Sequence, residues 1–191
     1  LHSTLGRPKV EVMRARVLDI NPSAEVEALQ MFYRPEDADN IDFGSFTCVA
    51  DAIDTVRAKM DLIARTQKLG VPIVSCMGAG NRTDPTQIFA GDLSETDVCP
   101  LCRAVRKKLR RRGIEHVPVV YSREIPVDVP KIKAADEHSC SKRPTSGTIA
   151  FVPAVAGMVL ASEVVRQLLG SHPPLPRVGD YAAPVHPSQS Q

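Results

Sequence analysis

Two acidic residues three apart, Asp51 and Asp54 in Asp51-Ala52-Ile53-Asp54-Thr55, stand between a short apolar run and a helical pattern. A carboxylate just past a strand end suits Mg²⁺, which takes few protein carboxylates and keeps several waters. Asp54 has an equally ordinary use as the N-cap of the helix that follows. A lysine, Lys9, opens another helix in Gly6-Arg7-Pro8-Lys9-Val10. The helix dipole disfavours a cation in a first turn, so Lys9 is either a solvated lysine or is kept for another purpose. Gly78-Ala79-Gly80 would let backbone approach a ligand closely, and is equally a tight turn; a G-x-G alone is not a phosphate loop.

Cys99-Pro100-Leu101-Cys102 is a single CxxC. Structural zinc takes four ligands, so Cys140 and His138 would have to complete the set, since no second pair exists. The plainer reading is two cysteines at a helix start, with Cys99 made acidic by the helix dipole. Cys48 and Cys76 fall on strands and are expected to be packing residues. Arg103, Arg106, Lys107, Lys108, Arg110, Arg111 and Arg112 form the strongest charge cluster, and Lys131, Lys133, Lys142 and Arg143 extend it. Such a cluster could clamp RNA phosphates without reading sequence, with steep salt dependence. It is also what a solvated helix looks like when Leu101, Val105 and Leu109 face a core.

The elements that must position these groups follow from periodicity and breakers. Helices are expected over 10–19, 55–69 (closing at Gly70), 100–112 (stopping at Gly113) and 149–169. Strands are expected over 25–33, 46–50, 71–76, 87–91 and 117–121, with a short helix near 35–40 and a turn at Asp84-Pro85-Thr86. Strand, helix, strand with short connections is the βαβ signature of an α/β, mainly parallel sheet flanked by helices. Ligands in such sheets bind beyond the carboxyl ends of the strands, which points to Asp51, Ile53, Asp54 and the 77–81 turn.

Composition limits the class. The 191 residues are 43% hydrophobic and 24% charged, an ordinary globular balance, and the net charge of +2 leaves any attraction to nucleic acid to local clusters. Five cysteines, an odd number spread through a mid-sized chain, argue against a disulfide framework and for a reducing cytoplasm, while a targeting peptide ahead of Leu1 stays open. The apolar stretch 149–169 is interrupted by Ser162, Glu163, Arg166 and Gln167, so it reads as an amphipathic core helix and not as a membrane span. The segment 122–147 reads as a mobile loop or lid, and 171–191 as a disordered tail.

GRPKVEVM, INP, ADAIDTVRAK, VPIVSCMGAGNRTDPTQI, VCPLCRAVRKKLRRRGI, VVYSREIP and GTIAFVPAVAGMVLASEVV, in that order, resemble the tRNA threonylcarbamoyladenosine dehydratases. These belong to the ubiquitin-activating-enzyme-like, ThiF-type adenylyltransferases. The resemblance implies a Rossmann-like fold, ATP and Mg²⁺, and cyclisation of the modified adenosine through an acyl-adenylate. It implies Lys9 against the triphosphate, Asp54 on the metal and Ile53 beside the nucleotide, with Arg57 or Lys59 either reaching the nucleotide or facing solvent, and Asp51 structural. It implies a tRNA substrate, for which Arg103, Arg106, Lys107 and Arg110 of the basic cluster are the candidate contacts, and argues against zinc. It further implies a homodimer, with sulfur-transfer or cysteine-desulfurase proteins as candidate partners and no membrane. Protein-activating members use a loop cysteine as acyl acceptor, but an intramolecular cyclisation needs no thiol, so Cys140 reads as a loop residue.

The family's Gly-rich phosphate loop and first βαβ part are expected ahead of Leu1. Residues 1–170 then read as the C-terminal part of the ATP-binding domain, a fragment whose own activity is in question. The alternatives are an activator of a sulfur-carrier or ubiquitin-like protein, which predicts zinc and a partner ending in Gly-Gly, and a non-catalytic binding fragment.

Overall fold

The computed structural model describes residues 1–128 and 147–170. The tail expected over 171–191 and most of the loop expected over 122–147, with Cys140 and His138, lie outside the described residues. Four short runs rich in β-branched residues form one sheet: β1 (Val49–Asp51), β2 (Ile73–Cys76), β3 (Ile88–Asp92) and β4 (Pro118–Ser122), in the order β1-β2-β4-β3. β1, β2 and β4 run parallel and β3 is antiparallel to β4. This is the mainly parallel α/β sheet that the βαβ pattern predicts.

Both faces of the sheet are covered, which the period-2 alternation of the strands makes possible. Ile73, Val119 and Tyr121 face a core shared with α2 (Val56–Leu69) and α3 (Pro100–Arg110), where Met60, Ile63, Val105 and Leu109 are buried. Val74 and Val120 point the other way, onto Ala156 and Leu160 of α4 (Phe151–Leu168). Among the described residues α4 is the one helix long and apolar enough to cross a membrane, yet it lies against all four strands through Val152, Ala156, Leu160 and the buried Glu163.

Local chemistry sets the ends of these helices. Gly70 closes α2 at φ 71°, a left-handed conformation that costs glycine nothing, while its N–H bonds back to Gln67. α3 starts with Pro100 in its first turn, where a missing N–H is harmless. It ends at Arg110, short of the expected 112, because Arg112 and Gly113 already turn back onto Leu109 and Arg110 carbonyls.

Two expectations are corrected. Residues 25–33 are irregular and form no strand, because among the described residues no neighbour offers a ladder. The Val26 carbonyl instead accepts from Arg14 Nε at 3.2 Å. The segment is tied down at its end, where Tyr33 packs edge-on to Phe43 and its hydroxyl donates to Asp61 at 2.8 Å. The strand expected over 46–50 starts later, at Val49, because Phe43–Ser45 forms a 3-10 turn and Phe46 stacks back on Phe43. Helix α1 (Lys9–Ile20) forms as expected but buries no residue.

Candidate functional site

The carboxyl ends of β1 and β2 are joined by a buried polar cluster. Asp51 and Ser75 are register partners across the two strands. The Asp51 carboxylate accepts from Lys59 Nζ at 2.6 Å, from Ser75 Oγ at 2.6 Å and from the Ile53 N–H at 2.9 Å. Lys59 Nζ also donates to Ser75 Oγ at 3.1 Å and to the Cys76 carbonyl at 2.8 Å, so its three protons are all used. Asp51 is 1% exposed and Lys59 0%. Lys59 therefore neither reaches toward a nucleotide nor faces solvent, the two uses expected of it: α2 turns it inward, and its ammonium is the counter-ion that Asp51 requires.

Asp51 in turn fixes the loop that carries the metal candidate. By accepting from the Ile53 N–H it turns the chain outward after β1, and Asp54 follows, exposed, with its carboxylate taking a weak bond from Thr55 Oγ1 at 3.3 Å. The N-cap of α2 is Thr55, whose side chain makes no cap bond. Asp54 is therefore not spent on capping, and the first N–H groups of α2 have no side-chain cap, an arrangement that favours an anion. An exposed single carboxylate beside an uncapped helix start fits a hydrated Mg²⁺ and a phosphate group. A recess of about 230 Å³ lies alongside, lined by Phe32, Tyr33, Pro35, Thr55, Arg57 and Ala58. Arg57 is paired with Glu36 at its rim. Lys9 is exposed in the first turn of α1, and among the described residues no hydrogen bond or ion pair joins it to Asp54.

Beyond β2, the turn after Met77 is organised by Arg82. Its Nη1 donates to the Gly78 and Gly80 carbonyls at 2.6 and 3.2 Å, and its Nε to the Glu124 carbonyl at 3.3 Å. Asn81 sits at φ 57°, a left-handed position that asparagine tolerates. The Glu124 carboxylate accepts from the Thr83 and Asp84 N–H groups at 2.9 and 3.0 Å. Burial pushes the Glu124 carboxyl up, but these bonds outweigh it and hold the group below the usual range.

Among the basic residues of α3, Arg106 is the exception. It is half-buried and caps the turn after β3, donating to Leu93 O at 3.2 Å, to Thr96 Oγ1 at 2.7 Å and to the Thr96 carbonyl. It is thus a brace within the fold and not a free phosphate contact. Arg103, Lys107, Lys108 and Arg110 are exposed on the opposite face from Cys102, Val105 and Leu109.

The CxxC lies inside the core. Cys99 N-caps α3, accepting the Cys102 N–H at 3.5 Å. The neighbouring Cys102 and the N–H groups at the helix start hold the Cys99 thiol below the ordinary thiol range, against the effect of burial. Cys102 is pushed up by the same pairing. Among the described residues no three His, Cys, Asp or Glu side chains are grouped as metal ligands.

Asp51, Arg82 and Glu124 organise the candidate site in ways that periodicity does not reveal. Lys59 carries a legible signal, since it lies three after Val56 and four before Ile63, inside the apolar stripe of α2, with an acid eight residues earlier. No side-chain pattern marks Arg82, whose partners are backbone carbonyls 2, 4 and 42 residues away.

With this geometry in place, comparison with known proteins is informative. The chain is 44% identical over 177 residues to the tRNA threonylcarbamoyladenosine dehydratase of Bacillus subtilis, covering 88% of this chain and 69% of that protein. It is 36% identical over 125 residues to tRNA threonylcarbamoyladenosine dehydratase 2 of Saccharomyces cerevisiae, covering 64% of this chain and 28% of the relative. The crystal structure of Escherichia coli tRNA N6-threonylcarbamoyladenosine dehydratase in complex with ATP superposes with a TM-score of 0.74 at 30% identity, over 89% of this chain and 67% of that one. The family model described as the ThiF family matches residues 2–185, and with the parallel sheet and the site at its carboxyl ends, this chain belongs to the ThiF family.

Proposed function

We propose that this chain acts in the ATP-dependent dehydration of N6-threonylcarbamoyladenosine in tRNA to its cyclic form. The observation that carries the reading is the 44% identity to the Bacillus dehydratase over 88% of the chain. The chemistry is an activation problem: a carboxylate would have to expel oxide, so its oxygen first attacks the α-phosphorus of ATP and releases pyrophosphate. An atom of the neighbouring carbamoyl group then attacks the acyl-adenylate carbonyl and expels AMP, with net loss of water. Catalysis of this kind rests on holding reactants and neutralising phosphate charge.

In this reading Asp54 holds Mg²⁺, which when bound offsets phosphate charge. The uncapped start of α2 receives a phosphate oxygen and Ile53 lines the nucleotide. Lys9 neutralises the departing pyrophosphate. Lys59 and Asp51 are positioning residues that hold the ends of β1 and β2 together, and so set the loop bearing Asp54. The exposed Arg103, Lys107 and Arg110 of α3 meet tRNA phosphates. The Gly-rich phosphate loop implied by the resemblance is not within the 191 residues, and this reading takes it from the part of the relatives that the chain does not match.

The test supplies tRNA bearing the linear modification, ATP and Mg²⁺ to three samples: this chain, the chain preceded by the unmatched segment of the Bacillus relative, and that relative whole. Nucleosides are then weighed by mass spectrometry. Loss of one water with either of the first two samples, abolished by Asp54→Asn, is the expected result. Conversion by the relative alone, with the extended chain folded and binding ATP, would overturn the reading.

A further inference from the structure

Three passages of the chain meet beyond the sheet on the side where its parallel strands end, and one side chain joins them. β1, β2 and β4 run parallel, so Asp51, Cys76 and Ser122 close them on the same side. Asn81 lies five residues past β2, Val127 five past β4, and Gly147 four ahead of α4. The Asn81 N–H donates to the Gly147 carbonyl at 2.8 Å, and its carbonyl accepts the Val127 N–H at 2.7 Å. Its Oδ1 accepts the Gly147 N–H at 2.8 Å, which fixes how the amide is turned, since only the oxygen can accept. Among the described residues these two bonds to Gly147 are the ones that tie 147–150 to another part of the chain.

Asparagine suits this place in two ways. Its φ of 57° is left-handed, a conformation that glycine, asparagine and aspartate tolerate and most side chains do not, and its amide oxygen supplies the acceptor that a second peptide group would. Neighbouring residues stitch the same wall. Arg82 holds the Gly78, Gly80 and Glu124 carbonyls, and the Glu124 carboxylate holds the Thr83 and Asp84 N–H groups. These bonds join 78–84 to the exit of β4, while Asn81 alone among them reaches the approach to α4.

Ligands of such sheets lie beyond the carboxyl ends of the strands. In the order β1-β2-β4-β3, Asp54 and the uncapped start of α2 follow the edge strand β1, and the Asn81 wall follows the two central strands beside it. A reaction between two substrates needs the second held next to the first, with reacting atoms about 3–3.5 Å apart. We propose that Asn81 is a positioning residue for the second substrate: its clasp on Gly147 and Val127 sets the wall against which the modified adenosine of tRNA seats. The role rests on the dehydratase reading. Asn81 acts through the wall and does not itself touch the reacting atoms.

Three variants separate the clasp from its alternatives. Asn81→Asp keeps an oxygen for the Gly147 N–H and tolerates the left-handed backbone, Asn81→Gly keeps the backbone but loses the side-chain bond, and Asn81→Ala loses the bond and strains the backbone. In the 191-residue chain, amide hydrogen exchange over 147–150 should quicken in Asn81→Gly and Asn81→Ala and stay unchanged in Asn81→Asp. In the extended chain that converts tRNA, Asn81→Gly should raise KM for tRNA bearing the linear modification about three- to tenfold, the worth of one hydrogen bond. KM for ATP and the affinity for unmodified tRNA should not move, and Asn81→Asp should match the unaltered protein. Activity lost in Asn81→Asp with exchange unchanged would overturn the positioning role, because Nδ2 itself would then be the contact. Unaltered kinetics in Asn81→Gly, or a rise in KM for ATP in place of tRNA, would overturn it as well. If the unaltered extended chain converts no tRNA, the dehydratase reading fails and the role for the modified adenosine falls with it, whereas exchange over 147–150 still decides whether the clasp exists.

Discussion

Replacing Lys59 with methionine removes one half of the buried Asp51–Lys59 pair while keeping side-chain length. The Nζ has three partners in the fold, Asp51 at 2.6 Å, Cys76 O at 2.8 Å and Ser75 Oγ at 3.1 Å, and neither ionic side chain is exposed. Breaking such a pair from one side strands a charge in the interior and costs about 3–5 kcal/mol. For a chain of this size each kcal/mol is worth roughly 2–4 °C, so Lys59→Met should lower Tm by about 6–20 °C. Asp51→Asn should fall in the same range, because the ammonium then loses the carboxylate it is paired with. Lys59→Met combined with Asp51→Leu should lose less than the two single losses summed, since no charge is left stranded. Urea and thermal unfolding followed by circular dichroism measure all four chains. A single-variant loss below about 1 kcal/mol, the value of a solvated surface pair, would refute the argument, because it would mean that water reaches the carboxyl ends of β1 and β2.

The basic helix separates into two behaviours. Lys107→Ala and Arg110→Ala should each reduce the slope of log affinity for tRNA against log salt by about one, with stability unchanged. Arg106→Ala should instead cost about 1.5–3 kcal/mol of stability, as it strips charged hydrogen bonds from Leu93 and Thr96, and should leave that slope alone. The lowered Glu124 carboxyl contributes stability that is present above the unfolded carboxylate range and lost as pH falls through its depressed native value. The urea midpoints of the unaltered chain and Glu124→Gln should therefore differ at pH 7 and converge as pH drops below about 4. Gly70→Ala forces a Cβ into φ 71° with no contact in return, and should destabilise by about 1 kcal/mol in the same assay.

The order of helices and central strands was legible because each is written in local periodicity and punctuated by glycine or proline. Gly70 ends α2, Pro100 starts α3, and the β-branched runs of β2 and β4 are too short and too apolar for anything but buried parallel strands. The strand expected over 25–33 shows the limit of this reading. Its alternation suits a strand, but a strand is a property of two segments, and the second is not supplied by periodicity.

The sequence by itself determined the α/β class, and it pointed to the carboxyl ends of the strands, with Asp54 and Lys9, as the candidate site. Those follow from patterns a few residues long and from motifs carried in order along the chain. Tertiary structure alone decided which charges remain available. It turned Lys59 into the core to neutralise Asp51, spent Arg106 on the Thr96 turn, and left Asp54 uncommitted by giving the cap of α2 to Thr55. It also brought Arg82 against the Glu124 carbonyl, forty-two residues away in sequence. A side chain's charge is written in its type, but whether that charge meets water, a ligand or a buried partner depends on segments far apart in the chain, and only their packing brings those together.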